Sequence, residues 1–556
     1  MGHIDIWVII VFSTLVFICG MSFARSGSNM KSFFAAGGAL PWWMSGLSLF
    51  MSFFSAGTFV VWGSIAYTSG WVAISIQWTM AISGLIIGFF IAPRWRKTGA
   101  LTAAQFITER LGYKTQKVYT YLFLFISIFT IAFFLYPVAK IVEVSSGIPI
   151  NLSILVLGLL ILVYTAVGGL WAVIVTDVLQ FVVLTAAVLI LVPLSFNAIG
   201  GIGDFVTGAP EGFFSLVSGE YSWEFVIAFG FYNLFFIAGN WAYVQRYTSV
   251  STPMDAKKAG WLFGMLYMIS PVIWMIPPMI YRVLNPELTG LADEGAYLLM
   301  AKQVLPAGML GLMLGGMIFA ASSSVNTTLN ISAGVISNDI YKHFKPNASN
   351  RKLVRVGRLA TIVLGLITIF IALMVPAMGG IVEAVISLGA ITGGALFLPP
   401  IWALFSKRQN GRTVLLTTII TLIVNVYFKF ISPFLIDFSL SRAAEMMLGV
   451  GLPILLLTIF ELWLAFHPSR NQYYEEFTVS QSQITQKSEE EVEEDKKGNL
   501  HGLRVLGFGI FSTGILIGIL SIISPAGGGM VISMGLIVSV IGAIIIIRGI
   551  INKRKI

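Results

Sequence analysis

Runs of about 20 apolar residues recur along nearly the whole chain. Each is long enough to cross roughly 30 Å of hydrocarbon as a helix. A membrane β-barrel would instead show alternating segments of about 10 residues. A soluble core does not hide so many continuous apolar helices, and the charge content agrees. Only 11% of the 556 residues are charged and 57% are hydrophobic, against about 25% charged in a soluble domain. The pattern predicts an all-α polytopic membrane protein of about 15 spans.

Lys and Arg set the orientation. Alternate loops read "PRWRKTG", "QRYTSVSTPMDAKK", "YKHFKPNASNRKLVRVGR", "SKRQNGR" and the terminal "NKRKI", whereas "LNPELTGLADEGAY" and its counterparts are poor in cations. This bias puts the N-terminus outside and the C-terminus in the cytoplasm, and an odd number of spans agrees. The net charge of +9 is therefore a matter of topology and does not point to nucleic acid. "MGHIDIWVII" lacks a basic n-region and reads as the first span, not a removed signal. The single cysteine, Cys19, excludes an intrachain disulfide, and four scattered histidines give no zinc or iron site. Residues 468–500, ending "KSEEEVEEDKK", are polar and charged, the composition of a disordered cytoplasmic linker. The chain thus divides into a transmembrane body at 1–466, a linker at 467–501 and a two-span tail at 502–556.

A charge inside a span is costly and marks function by default. Asp177 in "GGLWAVIVTDVLQFVVL" is the clearest case, with no cation near it in sequence. Glu383 stands a few residues into its span, and Glu461 and Lys429 lie near span ends. The other anomaly is "FAASSSVNTTLNIS", Phe319 to Ser332, inside the apolar stretch 305–337. Isolated hydroxyls there commonly bond the carbonyl one turn back or join helices. Here residues 320, 323, 324 and 327 share one helical face, flanked by 326 and 330. A row of uncharged oxygens suits a weakly held hard cation such as Na⁺.

At these residues the chain resembles the sodium/solute symporter family, which includes sodium–galactose, sodium–proline and sodium–sialic acid transporters. Four ordered stretches carry the resemblance: "ALPWWMSGLSLFMSFFSAG" (39–57), "GGLWAVIVTDVLQ" (168–180), "YNLFFIAGNWAYVQR" (232–246) and "SSSVNTTLNISAGVISNDIY" (322–341). The resemblance covers roughly 1–466. It implies two inverted five-helix repeats, a LeuT-like core at about 42–405 with flanking helices, each repeat opening on a broken helix. It also implies a sodium site formed by the carbonyls of Met51, Phe54 and Ala320 and the hydroxyls of Ser323 and Ser324. A second sodium site, present in some members, corresponds to Asp177, Ser323, Asn326 and Thr327, with Asn326 where the two-sodium pattern has a hydroxyl. On the solute side the counterparts include Ser55, Thr58, Gln77, Asn233, Phe236, Tyr267 and Glu383. The galactose set is not preserved: Asn233 is kept, but Thr58, Gln77, Tyr267 and Phe236 replace Gln, Glu, Lys and Tyr.

The function expected is sodium-coupled uptake of a small polar solute, a sugar or sugar acid, across the plasma or inner membrane. Sodium and the solute are the expected partners, with the lipid bilayer around them and no nucleic acid. Proton coupling through Asp177 and an amino acid or monocarboxylate substrate are the rivals within the transporter class. A membrane sensor is the rival outside it, although no signalling domain follows the body. No nucleophile–base pair or metal motif suggests an enzyme.

Overall fold

The computed structural model describes residues 2–22, 40–100, 102–164, 170–467, 471–482, 489–523 and 528–553. Within some helices certain side chains, those of Ser323, Asn326 and Thr327 among them, lie outside the described set. The described residues are almost entirely helical, as the apolar runs require where backbone groups cannot reach water. After α1 (His3–Met21) comes a broken helix, α2 (Trp42–Met51) and α3 (Gly63–Ser69), joined through a π-helical turn at Thr58–Trp62. Then follow α4 (Val72–Ile86), which runs on to Lys97, α5 (Tyr113–Ser146), α6 (Ile150–Tyr164) and α7 (Leu170–Ile199). A second broken helix is formed by α8 (Trp223–Gly239) and α9 (Trp241–Thr248). Beyond it lie α10 (Pro253–Trp274), α11 (Met309–Gly334), α12 (Asn350–Met374), α13 (Ile381–Phe405), α14 (Gly411–Val426) and α15 (Arg442–Phe466). Side-chain caps set several starts. Ser222, Thr252 and Ser441 accept from the backbone N–H of Phe225, Asp255 and Ala444, respectively, as hydroxyl N-caps do.

Two packed groups organise these helices. In one, α10 lies against α2 and α4, and α4 against α8. In the other, α5, α6, α11 and α12 pack on each other. Helix α7 touches both groups, through α2 and α11, and α13 does so through α8 and α5. The first group is drawn tight by facing glycines. A Cβ on Gly84 would meet Gly264 Cα at 2.9 Å, and one on Gly260 would meet Gly88 Cα at 2.7 Å. Small residues four apart on both helices let their backbones touch, which is how lipid-embedded helices gain packing energy.

Eleven helices among the described residues are long and apolar enough to cross a membrane, or twelve with the bent pair α8–α9 counted as one span. The remainder of the expected fifteen is less regular. Ile150–Leu159 and Met309–Ser322 are shorter apolar helices, and 42–66 is interrupted at Ser52–Ser55.

The tail helices α17 (Glu489–Ile523) and α18 (Gly528–Lys553) form a hairpin that docks on α7, with α17 also against α1. Gly509 sits at the contact, beside Cys19 and Leu179. The expected disorder of 468–500 does not hold for 472–482 or for 489–500, both of which are helical. Helix α16 (Gln472–Ser482) buries Phe477 edge-on against Phe106. Asn471 donates to the carbonyls of Lys407 and Gln409 at 3.2 and 3.0 Å. The cause is local: the aromatic residues Tyr473, Tyr474 and Phe477 give a polar segment enough apolar surface to dock.

Candidate ion and solute site

At the first break the chain leaves the helix for four residues, Ser52 to Ser55. The Ser52 N–H donates to the Ser48 and Leu49 carbonyls, while the Phe53 and Phe54 N–H groups share the Phe50 carbonyl. The Thr58 hydroxyl donates to the Phe53 carbonyl and accepts from Ser55 N–H. The Met51 and Phe54 carbonyls take part in none of these bonds. Both residues are 2% exposed. Buried carbonyls left over at a helix break are the groups with which membrane proteins coordinate alkali ions.

The second break is a single residue. Asn240 turns the chain by 60°, and its Oδ1 caps α9 by accepting from Ala242 N–H at 3.0 Å. Three of the last four carbonyls of α8 are also taken. Phe236 accepts from Asn240 N–H, Ala238 from Trp95 Nε1 at 2.8 Å, and Ile237 from the Tyr247 hydroxyl at 3.4 Å.

Between the two breaks lies a cavity of about 230 Å³. Ser52, Ser55 and Thr58 border it from the first break, Asn233, Phe236 and Asn240 from the second, and Ser324 and Thr328 from α11. Its aromatic wall is internally packed: Phe236 stacks on Tyr232 at 5.5 Å and meets Phe53 and Tyr243 edge-on. Trp62 and Phe229 meet edge-on at 5.9 Å at one end.

Asp177 faces this cavity and is 7% exposed. Its Oδ2 accepts from the Ser48 hydroxyl at 2.6 Å and lies 4.0 Å from Arg246 Nη2. A cation absent from its sequence neighbourhood is thus supplied by α9. A second buried carboxylate acts on α11 from outside. Asp5 of α1 accepts from the N–H groups of Gly308 and Gly311 at 2.7 and 3.0 Å. It caps the N-terminal end of the helix that carries the hydroxyl face, where backbone donors are free and negative charge is favoured.

The structure gathers Ser55, Thr58, Asn233, Phe236, Asp177 and Ser324 around the one cavity. Asn233 Nδ2 is held by Thr79 Oγ1 at 2.8 Å. Ser324 donates to the Ala320 carbonyl at 3.3 Å. The side chains of Ser323, Asn326 and Thr327 are outside the described set. Gln77, Tyr267 and Glu383 stand off the cavity. Gln77 is held by Trp274 Nε1 and the Ala73 carbonyl, and Tyr267 packs among Phe50, Phe263 and Trp274. Glu383 binds Lys429 at 3.0 Å and Arg442 at 2.7 Å, beside a separate surface cavity that also touches Glu220 and Glu445. Sequence reading missed the roles of Arg246, Ser48, Asn240 and Asp5. For Asp5 a signal existed, a carboxylate near the start of an apolar span.

The family model for the sodium:solute symporter family matches residues 33–421, and the chain belongs to that family, whose members couple solute movement to sodium. A sodium/glucose cotransporter of Vibrio parahaemolyticus is 27% identical over 470 residues, 77% of this chain and 86% of its own. The sodium/sialic acid symporter NanT of Aliivibrio fischeri is 27% identical over 432 residues, 75% and 85% of the two chains. Among solved structures, a sodium-coupled sialic acid symporter in a substrate-bound outward-open state superposes with a TM-score of 0.69 at 22% identity. It covers 84% of this chain and 98% of the other, which fixes the fold.

Proposed function

We propose that the protein carries a small polar organic solute, a sugar or sugar acid, into the cell with sodium by alternating access. The observation that carries this reading is the pairing of unlike breaks around one cavity. The first leaves the buried Met51 and Phe54 carbonyls free for an ion, and the second presents Asn233 and an aromatic wall to a solute. Sodium is held by these carbonyls together with the Ala320 carbonyl and the hydroxyls of Ser323 and Ser324. A second sodium engages Asp177 with Ser323, Asn326 and Thr327. Relatives named for glucose and sialic acid transport support a sugar-like cargo.

The chain lies in the plasma or inner membrane with its N-terminus outside, as the basic loops require. Arg246 and Thr328 then fall in the cytoplasmic half, because basic loops follow both α9 and α11. The buried Glu294 lies in a cation-poor loop on the other side. Its carboxylate accepts from Ile381 N–H and the Tyr136 hydroxyl, each at 2.9 Å, while burial pushes its pKa up. Sodium entering from outside favours the outward-open state, and the solute then binds beside it. The membrane potential adds about 2.3 kcal/mol per charge per 100 mV. The decisive experiment is solute uptake into proteoliposomes with sodium and proton gradients imposed separately. Uptake driven by a pH gradient alone and indifferent to sodium sinks the reading.

A further inference from the structure

Among the described residues lining the cavity, two carry formal charge, Asp177 and Arg246. Both are already committed. Arg246 Nη1 donates to the Ala242 carbonyl at 2.9 Å and reaches Gln245 Oε1 at 3.5 Å, Nε reaches Ser48 Oγ at 3.4 Å, and Nη2 faces Asp177 at 4.0 Å. Asp177 takes the Ser48 hydroxyl as well. Three further buried or half-buried cations are engaged away from the cavity. Lys429 and Arg442 serve Glu383, Glu445 and Glu220 in the separate surface cavity, and Arg110 donates to the Ser406 carbonyl.

We propose that the solute is neutral: a polyhydroxylated ring without a carboxylate or other fixed charge. This rests on the symporter reading above and narrows it. An acid entering the cavity finds no free cation among the described lining residues and meets the faces of Phe53, Phe236 and Tyr243, which carry the negative side of the aromatic quadrupole. Burying a carboxylate without a counter-charge costs far more than burying a hydroxyl that finds a partner. Capture of Arg246 by the acid would take from Asp177 the side-chain cation it faces at 4.0 Å among the described residues, moving the imbalance to the aspartate. Neutral polar groups are present and suitably mixed. Asn233, Thr58 and Thr392 offer acceptor oxygens for hydroxyls, Asn233 has a second N–H to donate, and Phe236 and Trp62 offer flat faces for ring C–H groups. Sodium adds one positive charge near the first break, but the Met51, Phe54 and Ala320 carbonyls and nearby hydroxyls surround it, so it does not substitute for a guanidinium fork.

The test uses the purified full chain and matched pairs differing in charge: galactose with galacturonate, glucose with glucuronate, and N-acetylneuraminate with its methyl ester. Thermal stabilisation is recorded in NaCl and again in KCl at equal ionic strength. The expected result is that the neutral member of at least one pair stabilises the protein in sodium at a concentration about a hundredfold below its acid partner. An acid that matches or beats its neutral partner overturns the proposal, as does the failure of every neutral member to stabilise in sodium. Stabilisation by NaCl over KCl without solute reads the sodium reading separately. If that persists while an acid wins, only the inference about charge falls.

Discussion

At the first break Ser52 to Ser55 unwind, and the carbonyls of Met51 and Phe54 are left out of the hydrogen bonds that span it. At the second the chain bends at Asn240 alone, whose side chain caps the next helix while Trp95 and Tyr247 take the carbonyls of Ala238 and Ile237. Both breaks interrupt a helix within an apolar bundle, where an unpaired backbone group costs several kcal/mol. The second meets most of that cost with side chains. On the function proposed above, the first defers it to a bound cation. The difference would then divide labour within one cavity, with the ion at the first break and the solute along the second. Sodium bound at the first break would change what the second break presents, and coupling of this kind is reciprocal.

The largest expected effect strikes the group that ties the two breaks together. Asp177 holds Ser48 of α2 and faces Arg246 of α9. Asp177→Asn keeps the volume but leaves a buried guanidinium without its counter-ion, a change of about 3–5 kcal/mol. We expect a marked fall in thermal stability, largely restored in the double variant Asp177→Asn/Arg246→Gln. If the double variant is no more stable than the single, Asp177 is not the partner of Arg246. The ratio of sodium to solute in the restored double variant then reports whether Asp177 also holds an ion; an unchanged ratio removes it from the ion path.

Ser324→Ala probes the first break from the α11 side. Removing one hydroxyl ligand should cost about 1.5 kcal/mol, the low end of the range for a hydrogen bond to a charged group. The half-saturating sodium concentration should rise about tenfold. An unaltered sodium dependence removes Ser324 from the ligand set. For the second break, Asn240→Ala deletes the cap of α9 and should cost about 1 kcal/mol of stability, recovered by Asn240→Ser or Asn240→Asp. Equal losses in all three variants would mean that the amide does something other than cap.

Much of this architecture was legible because membrane folding writes itself locally. An apolar run of sufficient length forms a helix wherever it stands, and small polar residues inside it mark a weak point. That logic reached the isolated charge of Asp177 and the oxygen-rich face that brings Ser324 to the cavity, while the two broken helices came from the family resemblance and Thr328 was not among the residues of that face. It did not reach pairings across helices. Asp177 and Arg246 are 69 positions apart, and nothing local says that α7 and α9 meet. Gln77 and Tyr267 align with solute-binding positions of the resemblance, yet they point into Trp274 and the surrounding aromatic core. A rotation of the helix by part of a turn decides which face is wet, and alignment does not carry that information. The docking of α16 escaped for a related reason: three aromatic residues outweigh an otherwise polar composition only because the short helix Ala103–Leu111 offers them a surface.

The smallest effect sharpens the comparison most, because it asks whether the two breaks can be separated at all. Thr79 fixes the amide nitrogen of Asn233 at 2.8 Å, which leaves the carbonyl oxygen as the acceptor for a solute hydroxyl. Asn233→Ala should raise the half-saturating solute concentration about fivefold, near the net value of one hydrogen bond. Linkage complicates the reading, since weaker solute binding lowers apparent sodium affinity whenever the solute is below saturation. The comparison is therefore made with the other ligand saturating: sodium titrated at high solute and solute titrated at high sodium. Under those conditions Asn233→Ala should shift only the solute curve and Ser324→Ala only the sodium curve. If each variant shifts both curves equally, the two breaks form one composite site, and the division between an ion break and a solute break is wrong.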